Sequence, residues 1–339
     1  ISFSSLGTKY LDEGSFTLNA TASSGLAVSY TSSNTNVATV SGSTVTLKSV
    51  GTTTITSSQS GNSNWNAATN AIQTLTVQAR DTDGDGVTDV MEVADGTLTN
   101  NASSFNPLSK GLIAFYPFNG NANDASGNGR HGVNFGASPA TDRFSLTNRA
   151  FAFDGSANYV RINDGSWFPR GRNEFTVTTW LLIPSTPTSN SHKFILTIDA
   201  IEQWQVFVSG TNQYQSFEFY MDGARVGGVL QDWFDYSLGH FVQFGFGEWH
   251  QFSLTRKNNP DGIDTVTWYF NGRQIYQTTT SLQNQASLAG NGLTIGKREN
   301  GYGPWLGRLD DIRIYDRALT GSEVSQLLGE EAGSLVPVI

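Results

Sequence analysis

The chain has 339 residues, enough for two or three domains that each bury a core. Only 14% of them are charged, the formal net charge is −9 and no basic cluster occurs, which excludes nucleic acid and anionic membranes as expected partners. There is no Cys and no apolar run long enough to insert into a bilayer, so disulfide frameworks, thiolate metal sites and membrane insertion drop out as well.

Residues 1–79 are rich in Ser and Thr. SFTLNATA, AVSYTSS, VATVSG, STVTLKS and TTTITSS alternate apolar and polar residues between Gly, Ser and Asn turns. This is the pattern of an antiparallel β-sandwich with one face of each strand buried. The stretch VSYTSSNTNVATVSGSTVTLKSVGTTTIT resembles the bacterial immunoglobulin-like (Ig-like) repeats of surface adhesins and secreted enzymes, with the S-S-N, V-A-x-V, G and G-T-x-x-I punctuation in order. The resemblance implies a spacer domain. Trp65, in GNSNWNAA, is expected to pack on the sandwich edge, a ligand platform being the alternative.

Residues 80–108 read as a linker. It opens with DTDGDGVTDVME, which has the oxygen spacing of an EF-hand loop. Asp81, Asp83 and Asp85 stand at positions 1, 3 and 5, and Gly86 permits the sharp turn. Val87 offers its carbonyl at position 7, Asp89 falls at position 9 and Glu92 at position 12. Four Asp and one Glu packed together repel one another without a cation, and hard Ca²⁺ wants six to eight oxygens. Nothing long and helical follows, and the segment resembles thrombospondin type 3 calcium repeats and related bacterial linkers. One Ca²⁺ is therefore expected here, stiffening a joint between modules. Extracellular sites of this kind bind at about 10⁻⁴–10⁻³ M, so the loop would be loaded outside a cell. Absence of Cys together with a calcium loop fits a secreted bacterial protein.

Residues 109–330 carry most of the aromatics. GLIAFYPFNG, FAFDGSANYVRI, EFTVTTWLLIP, KFILTIDA, QWQVFVSG, SFEFYMDG, EWHQFSLTRK, DTVTWYFNGRQIY, GLTIGKR and GRLDDIRIYDRAL follow as strands with short turns. The one helix signal is TGSEVSQLLGEE, with Thr320 or Ser322 as N-cap and Glu323 in the first turn. So many strands imply a two-sheet jelly roll, and the whole chain is expected to be all-β, with 331–339 as a tail. Three anchors resemble the laminin G-like, concanavalin A-like lectin domains of bacterial secreted proteins: GLIAFYPFNGNANDASGNGRHG, EWHQFSLT…WYFNGRQI and GRLDDIRIYDRALTGSEVSQL. The resemblance implies a module that often holds a structural calcium and frequently binds carbohydrate. It would place a second Ca²⁺ on Asp124, Asn128 and Asp310, though Asp and Asn on tight Gly turns also serve as turn formers.

Sugar sites on such folds use aromatic rings stacked on pyranose faces. Trp180, Trp249 and Trp268 lie inside alternating strands and read as core, as does Trp204. Trp167, Trp233 and Trp305 sit beside Gly, Pro and Asp and are candidate platforms, with Tyr236 in the same aromatic-rich stretch as Trp233. The alternative for each loop Trp is a buried plug. Concanavalin-like hydrolases carry E-x-D-x-x-E, which is absent here. Glu218 and Asp222 share a strand face but lie roughly 13 Å apart, too far for either glycosidase geometry within one strand, a partner carboxylate from another strand being the alternative. His131, His192, His240 and His250 show no metal spacing. The chain therefore reads as a non-catalytic part of a larger secreted or cell-surface protein whose partner is a glycan or cell-surface polysaccharide. Its alternatives are an adhesin stalk that contacts protein, and a concanavalin-like polysaccharide-active enzyme.

Overall fold

The computed structural model describes residues 1–169, 173–184, 193–198, 205–211, 214–221, 224–231, 245–281, 292–297 and 303–329. Residues up to 78 form two sheets around one core. The four-stranded sheet runs Thr8–Tyr10, Ala68–Gln78, Gly51–Gln59, Ser29–Ser32, and the three-stranded sheet runs Ser15–Thr17, Thr44–Leu47, Ala38–Ser41. All neighbours are antiparallel except Thr8–Tyr10, which lies parallel to Thr76–Gln78. The period-two pattern sets which residues turn inward. In Gly51–Gln59 every second residue from Thr53 is buried, and Ile55 meets Val45, Leu47, Leu75 and Val77 in the core. The inward Ser57 is satisfied by donating to Ala71 O at 3.0 Å, so its burial leaves no orphan hydroxyl.

The larger module is also a two-sheet sandwich, with every described neighbour antiparallel. Its first sheet runs Ser138–Ala140, Ala150–Asp154, Leu306–Tyr315, Phe175–Leu182, Trp249–Lys257, Asp264–Phe270, Arg273–Thr280, and Leu112–Tyr116 pairs the later half of Leu306–Tyr315. Its second sheet runs Ala224–Gln231, Tyr214–Met221, Gln205–Thr211, Lys193–Ile198, Leu293–Ile295, Tyr159–Ile162, Val133–Phe135. Between them lie Phe151, Val177, Leu181, Leu254, Trp268, Leu309 and Ile312 of one sheet against Val160, Ile162, Leu293 and Ile295 of the other.

The first sheet is buried on its outer face as well. Leu112, Phe115, Tyr269 and Tyr315 point outward into a second apolar cluster with Val87, Met91, Leu108, Leu319, Val324 and Leu327. Two short helices bring Met91 and Val324 to this cluster. Helix α1, Asp89–Asp95, begins at Thr88, whose side chain accepts from Met91 N, and ends at Gly96 in the left-handed region. Helix α2, Gly321–Gln326, begins at Thr320 with a reciprocal capping box to Glu323, as the sequence leads one to expect. The sequence reading had no helix at α1. At seven residues it is too short to show a periodic stripe, and it is stable only because Met91 packs on the sheet. The segment after residue 80 is accordingly no free-standing joint: Val87, Met91 and Leu108 belong to the outer layer of the larger module.

Candidate metal centre and intermodule cleft

Asp81, Asp83 and Asp85 converge, with one carboxylate oxygen from each lying within 4.8 Å of the others. The backbone winds round them. Asp81 accepts from Gly84 N at 2.8 Å and Gly86 N at 3.0 Å, and Asp85 Oδ1 accepts from Val87 N at 2.8 Å. Gly84 and Gly86 have φ of 76° and 92°, which a residue with a Cβ adopts only at a cost. Val87 is held by its buried side chain, and Glu92 follows on α1 with 0% of its surface exposed. Asp83 Oδ2, Asp85 Oδ2 and both Glu92 oxygens are buried and accept no hydrogen bond. Burial, and then the charges of Asp83, Asp85, Asp89 and Asp81, push the Glu92 carboxyl up to about 7. Desolvated carboxylate oxygens without donors are stable only when protonated or beside a cation, so this donor set fits a hard oxygen-seeking ion. Asp89 has a different task. Its two oxygens accept from Thr82 N at 2.8 Å and Thr82 Oγ1 at 2.7 Å, so it braces the loop.

The loop 124–132 joins three parts of the chain. Asp124 accepts from the amides of Phe115, Ser126 and Arg130, and Asn128 donates to Ile113 O at 3.3 Å and Ser126 Oγ at 3.0 Å. Asp310 lies elsewhere, on Leu306–Tyr315, buried beside Asp311 and paired with Arg143. Burial, with the neighbouring Asp311 charge, raises its carboxyl above the usual range, while Arg143 opposes the shift. Asp124 and Asn128 therefore act as turn formers, and among the described residues they share no hydrogen-bonding partner with Asp310. The outer side of the 124–132 loop docks the rest of the chain. Asn128 O accepts from Val50 N at 3.0 Å, and Ser126 O accepts from Thr88 Oγ1 at 3.1 Å. Gly129 lies so close to the N-terminal module that a Cβ there would stand 2.7 Å from Lys48 O.

Beside this contact is a cavity of about 420 Å³ lined by both modules. Asn36 and Lys48 come from the N-terminal one; Arg130, His131, Asp164 and Trp167 come from the larger one. Trp167 is half-buried, packs against the main core and carries the Arg130 guanidinium 4.5 Å from its ring centroid. One ring face is thus occupied, and Trp167 serves as a wall of the cavity and no open stacking platform. Trp305 is a correction: with 1% exposed it is core, fixed by its amide donating to Gly296 O across the sandwich. Trp233 and Tyr236 lie outside the described residues, as do Trp204, Asp222, His192, His240 and the side chain of Glu218. Trp268 is core as expected, whereas Trp180 and Trp249 are half-buried, Trp180 beneath Arg143 at 4.5 Å. Trp65 is 54% exposed, so it does not pack on the sandwich edge as expected.

The family model of the concanavalin A-like lectin/glucanases superfamily matches residues 154–325. The chain belongs to this superfamily. No curated protein matches it in sequence. Among solved structures it is similar to domain 4 of AbnA, a GH43 extracellular arabinanase from Geobacillus stearothermophilus in complex with arabinotriose, at 19% identity and TM-score 0.46, over 64% of this chain and 98% of that one. It is also similar to the binding domain of Paraclostridial Mosquitocidal Protein 1, at 17% identity and TM-score 0.49, over 66% of this chain and 52% of that one. The receptor binding domain of botulinum neurotoxin D shows 14% identity and TM-score 0.47, over 65% and 53%. The chain spans about half the length of the two toxin domains.

For a member of the lectin/glucanase superfamily, two features stand out that the sequence reading missed. Lys48 and Asn36, in a region read as spacer, form part of a cavity wall. Phe135 and Tyr159 stack at 4.6 Å on the outer face of the second sheet, with Lys297 3.5 Å from the Tyr159 ring centroid. The S-G-N-G spelling before Arg130 was the available signal for the first, since paired glycines mark a close backbone approach. Outward alternation of Tyr159 and Arg161 against inward Val160 and Ile162 was the signal for the second. Among the described residues no helix is long and apolar enough to cross a membrane.

Proposed function

We propose that this chain is a non-catalytic carbohydrate-binding part of an extracellular protein, stabilised by a calcium ion in the 81–92 loop. The observation that carries the proposal is Glu92: a carboxylate with no exposed surface and no donor on either oxygen, within reach of the charges of Asp83, Asp85 and Asp81, whose own oxygens converge. Those four side chains and the Val87 carbonyl would hold the ion, and Asp89 would brace the loop. A bound calcium supplies the positive charge that lets Glu92 stay ionised while buried. Because Val87 and Met91 flank Glu92 and pack on the first sheet, this chain's own residues carry the ordering from the loop into the jelly roll. The millimolar-range affinity of such sites supports an extracellular setting.

Membership of a lectin/glucanase superfamily supports glycan binding by the jelly roll, and the sandwich before it supports the immunoglobulin-like spacer reading. The non-catalytic reading is supported by the state of Asp310 and Asp311, which are buried and face Arg143 at 3.4 and 2.7 Å. A second reading, contact with protein, is favoured by the strand Val133–Phe135. It closes one edge of its sheet with all three residues exposed, and Val133 and Phe135 present 46% and 45% of their surfaces. A glycan array probed with the whole chain, in calcium and then in chelator, separates the two. Binding to a defined sugar supports the carbohydrate reading; a blank array in both conditions, from folded protein, overturns it in favour of protein contact.

A further inference from the structure

We infer that the cleft between the two modules is a binding site for a carboxylated sugar residue, with each module supplying part of its wall. The inference rests on the reading of the jelly roll as a carbohydrate-binding module and deepens it. The cavity, about 420 Å³, falls within the roughly 300–1,000 Å³ typical of small-molecule sites. Its charge runs against that of the chain. On a protein of net charge −9, the cleft is lined by Lys48 and Arg130 with Asp164 as its one lining carboxylate. The Arg130 guanidinium already lies over Trp167 and donates to Ile113 O, so Lys48 is the cation exposed to a ligand. Asp164 is engaged by the protein itself, accepting from Ser166 N at 2.9 Å and from Asn34 Nδ2 at 3.5 Å. Lys48 is exposed and forms no salt bridge with any described residue. Low-dielectric walls concentrate such a field on an incoming anion.

The remaining lining discriminates a sugar acid from a bare anion. His131 Nδ1 accepts the Asp124 amide at 3.1 Å, which fixes the neutral ring as the Nε2–H tautomer and leaves that N–H as a donor. Asn36 and Asn163 are exposed in the cleft and offer amide groups that both donate and accept, as ring hydroxyls require. Exposed Val133, beside the half-buried Trp167 that walls the cavity, supplies an apolar side against which the C–H groups of a sugar can lie. A small inorganic anion uses the cations alone, whereas a neutral hexose uses everything except them. A hexuronate uses both. The walls are held in register by the Val50 N to Asn128 O bond and the close approach at Gly129, so the site is formed before the ligand arrives.

The test is calorimetric titration of the full chain, in calcium, with a hexuronate oligosaccharide, its neutral hexose counterpart and inorganic phosphate. Two variants on the exposed wall of the N-terminal module accompany it: Lys48→Glu reverses a charge, and Thr35→Trp fills the cleft without altering charge. The expected result is binding of the uronate oligosaccharide by the parent chain, weakened by about tenfold or more in both variants, with unchanged melting. Uronate binding that survives both substitutions overturns the inference, as does phosphate binding as tightly as the sugar. Binding of the neutral oligosaccharide without the acidic one overturns it too, while leaving the carbohydrate reading in place. Failure of both saccharides overturns the inference, and the glycan array then decides the carbohydrate reading.

Discussion

Substitution of Gly129 by Ala probes the contact on which the module arrangement depends. Gly129 has φ of +70°, and a Cβ there would lie 2.7 Å from Lys48 O, 2.8 Å from Leu11 Cδ2 and 3.2 Å from Ser49 Cα. The Leu11 methyl can rotate away; the Lys48 carbonyl is backbone and cannot. Placing an L-residue in the left-handed region costs roughly 1–2 kcal/mol, and losing the adjacent Val50 N to Asn128 O bond costs roughly another 1 kcal/mol. Together these weaken docking by about 2–3 kcal/mol, which accelerates exchange of the Val50 amide roughly 30- to 150-fold. Hydrogen exchange followed by NMR reads this directly, with the Thr56 amide, inside the N-terminal sandwich, as an internal reference. Gly120→Ala is the control: Gly120 has φ of +77° but no atom within 4 Å of its would-be Cβ, so it carries strain without a clash. Unchanged Val50 exchange in Gly129→Ala, or equal acceleration in Gly120→Ala, refutes the claim that close approach at this glycine fixes the modules.

Other outcomes follow from the buried groups. Arg143→Met leaves Asp310 and Asp311 buried without their cation and is expected to destabilise the jelly roll by about 3–5 kcal/mol in denaturant unfolding. His250 is 4% exposed, and burial lowers its ring below the usual histidine range against the opposing influence of Gly245, Glu248 and Asn271. Its neutral form is therefore the folded form, so stability is full above the unfolded value, about 6.5, and falls as pH drops below it. Thermal melts across that range should show this slope, and His250→Gln should flatten it. Trp305→Ala should cost about 3–5 kcal/mol of stability, as a core truncation does. A loss of ligand binding with stability unchanged would return Trp305 to the surface role that its sequence neighbours suggest.

Most strands could be read from the sequence because burial on one face leaves a period of two, as in Gly51–Gln59 and Tyr159–Ile162. The same rule fails where a strand is buried on both faces. In Leu112–Tyr116, Ala114 and Tyr116 face the main core while Leu112 and Phe115 face the helices, and no alternation survives to reveal the second layer. The convergence of Asp81, Asp83 and Asp85 was legible because oxygen donors to one point must follow one another at fixed spacing. Helix α1 after it was marked only by Thr88 and Gly96 at its ends. Trp305 misled because Gly and Pro beside a Trp predict a turn, and a turn between two core strands can be as buried as they are. The cleft was beyond sequence pattern: Lys48 and Trp167 are far apart in the chain, and contacts such as those at Gly129 and between Asn34 and Asp164 bring them to one cavity.

The central claim, that the 81–92 carboxylates are a calcium site, is tested most directly by calorimetric titration of calcium into the chelator-treated full chain. The account predicts saturable binding with a dissociation constant of about 10⁻⁴–10⁻³ M, abolished or strongly weakened by Glu92→Gln and by Asp83→Ala. Absence of binding by the parent chain at millimolar calcium, or equal binding by both variants, contradicts it.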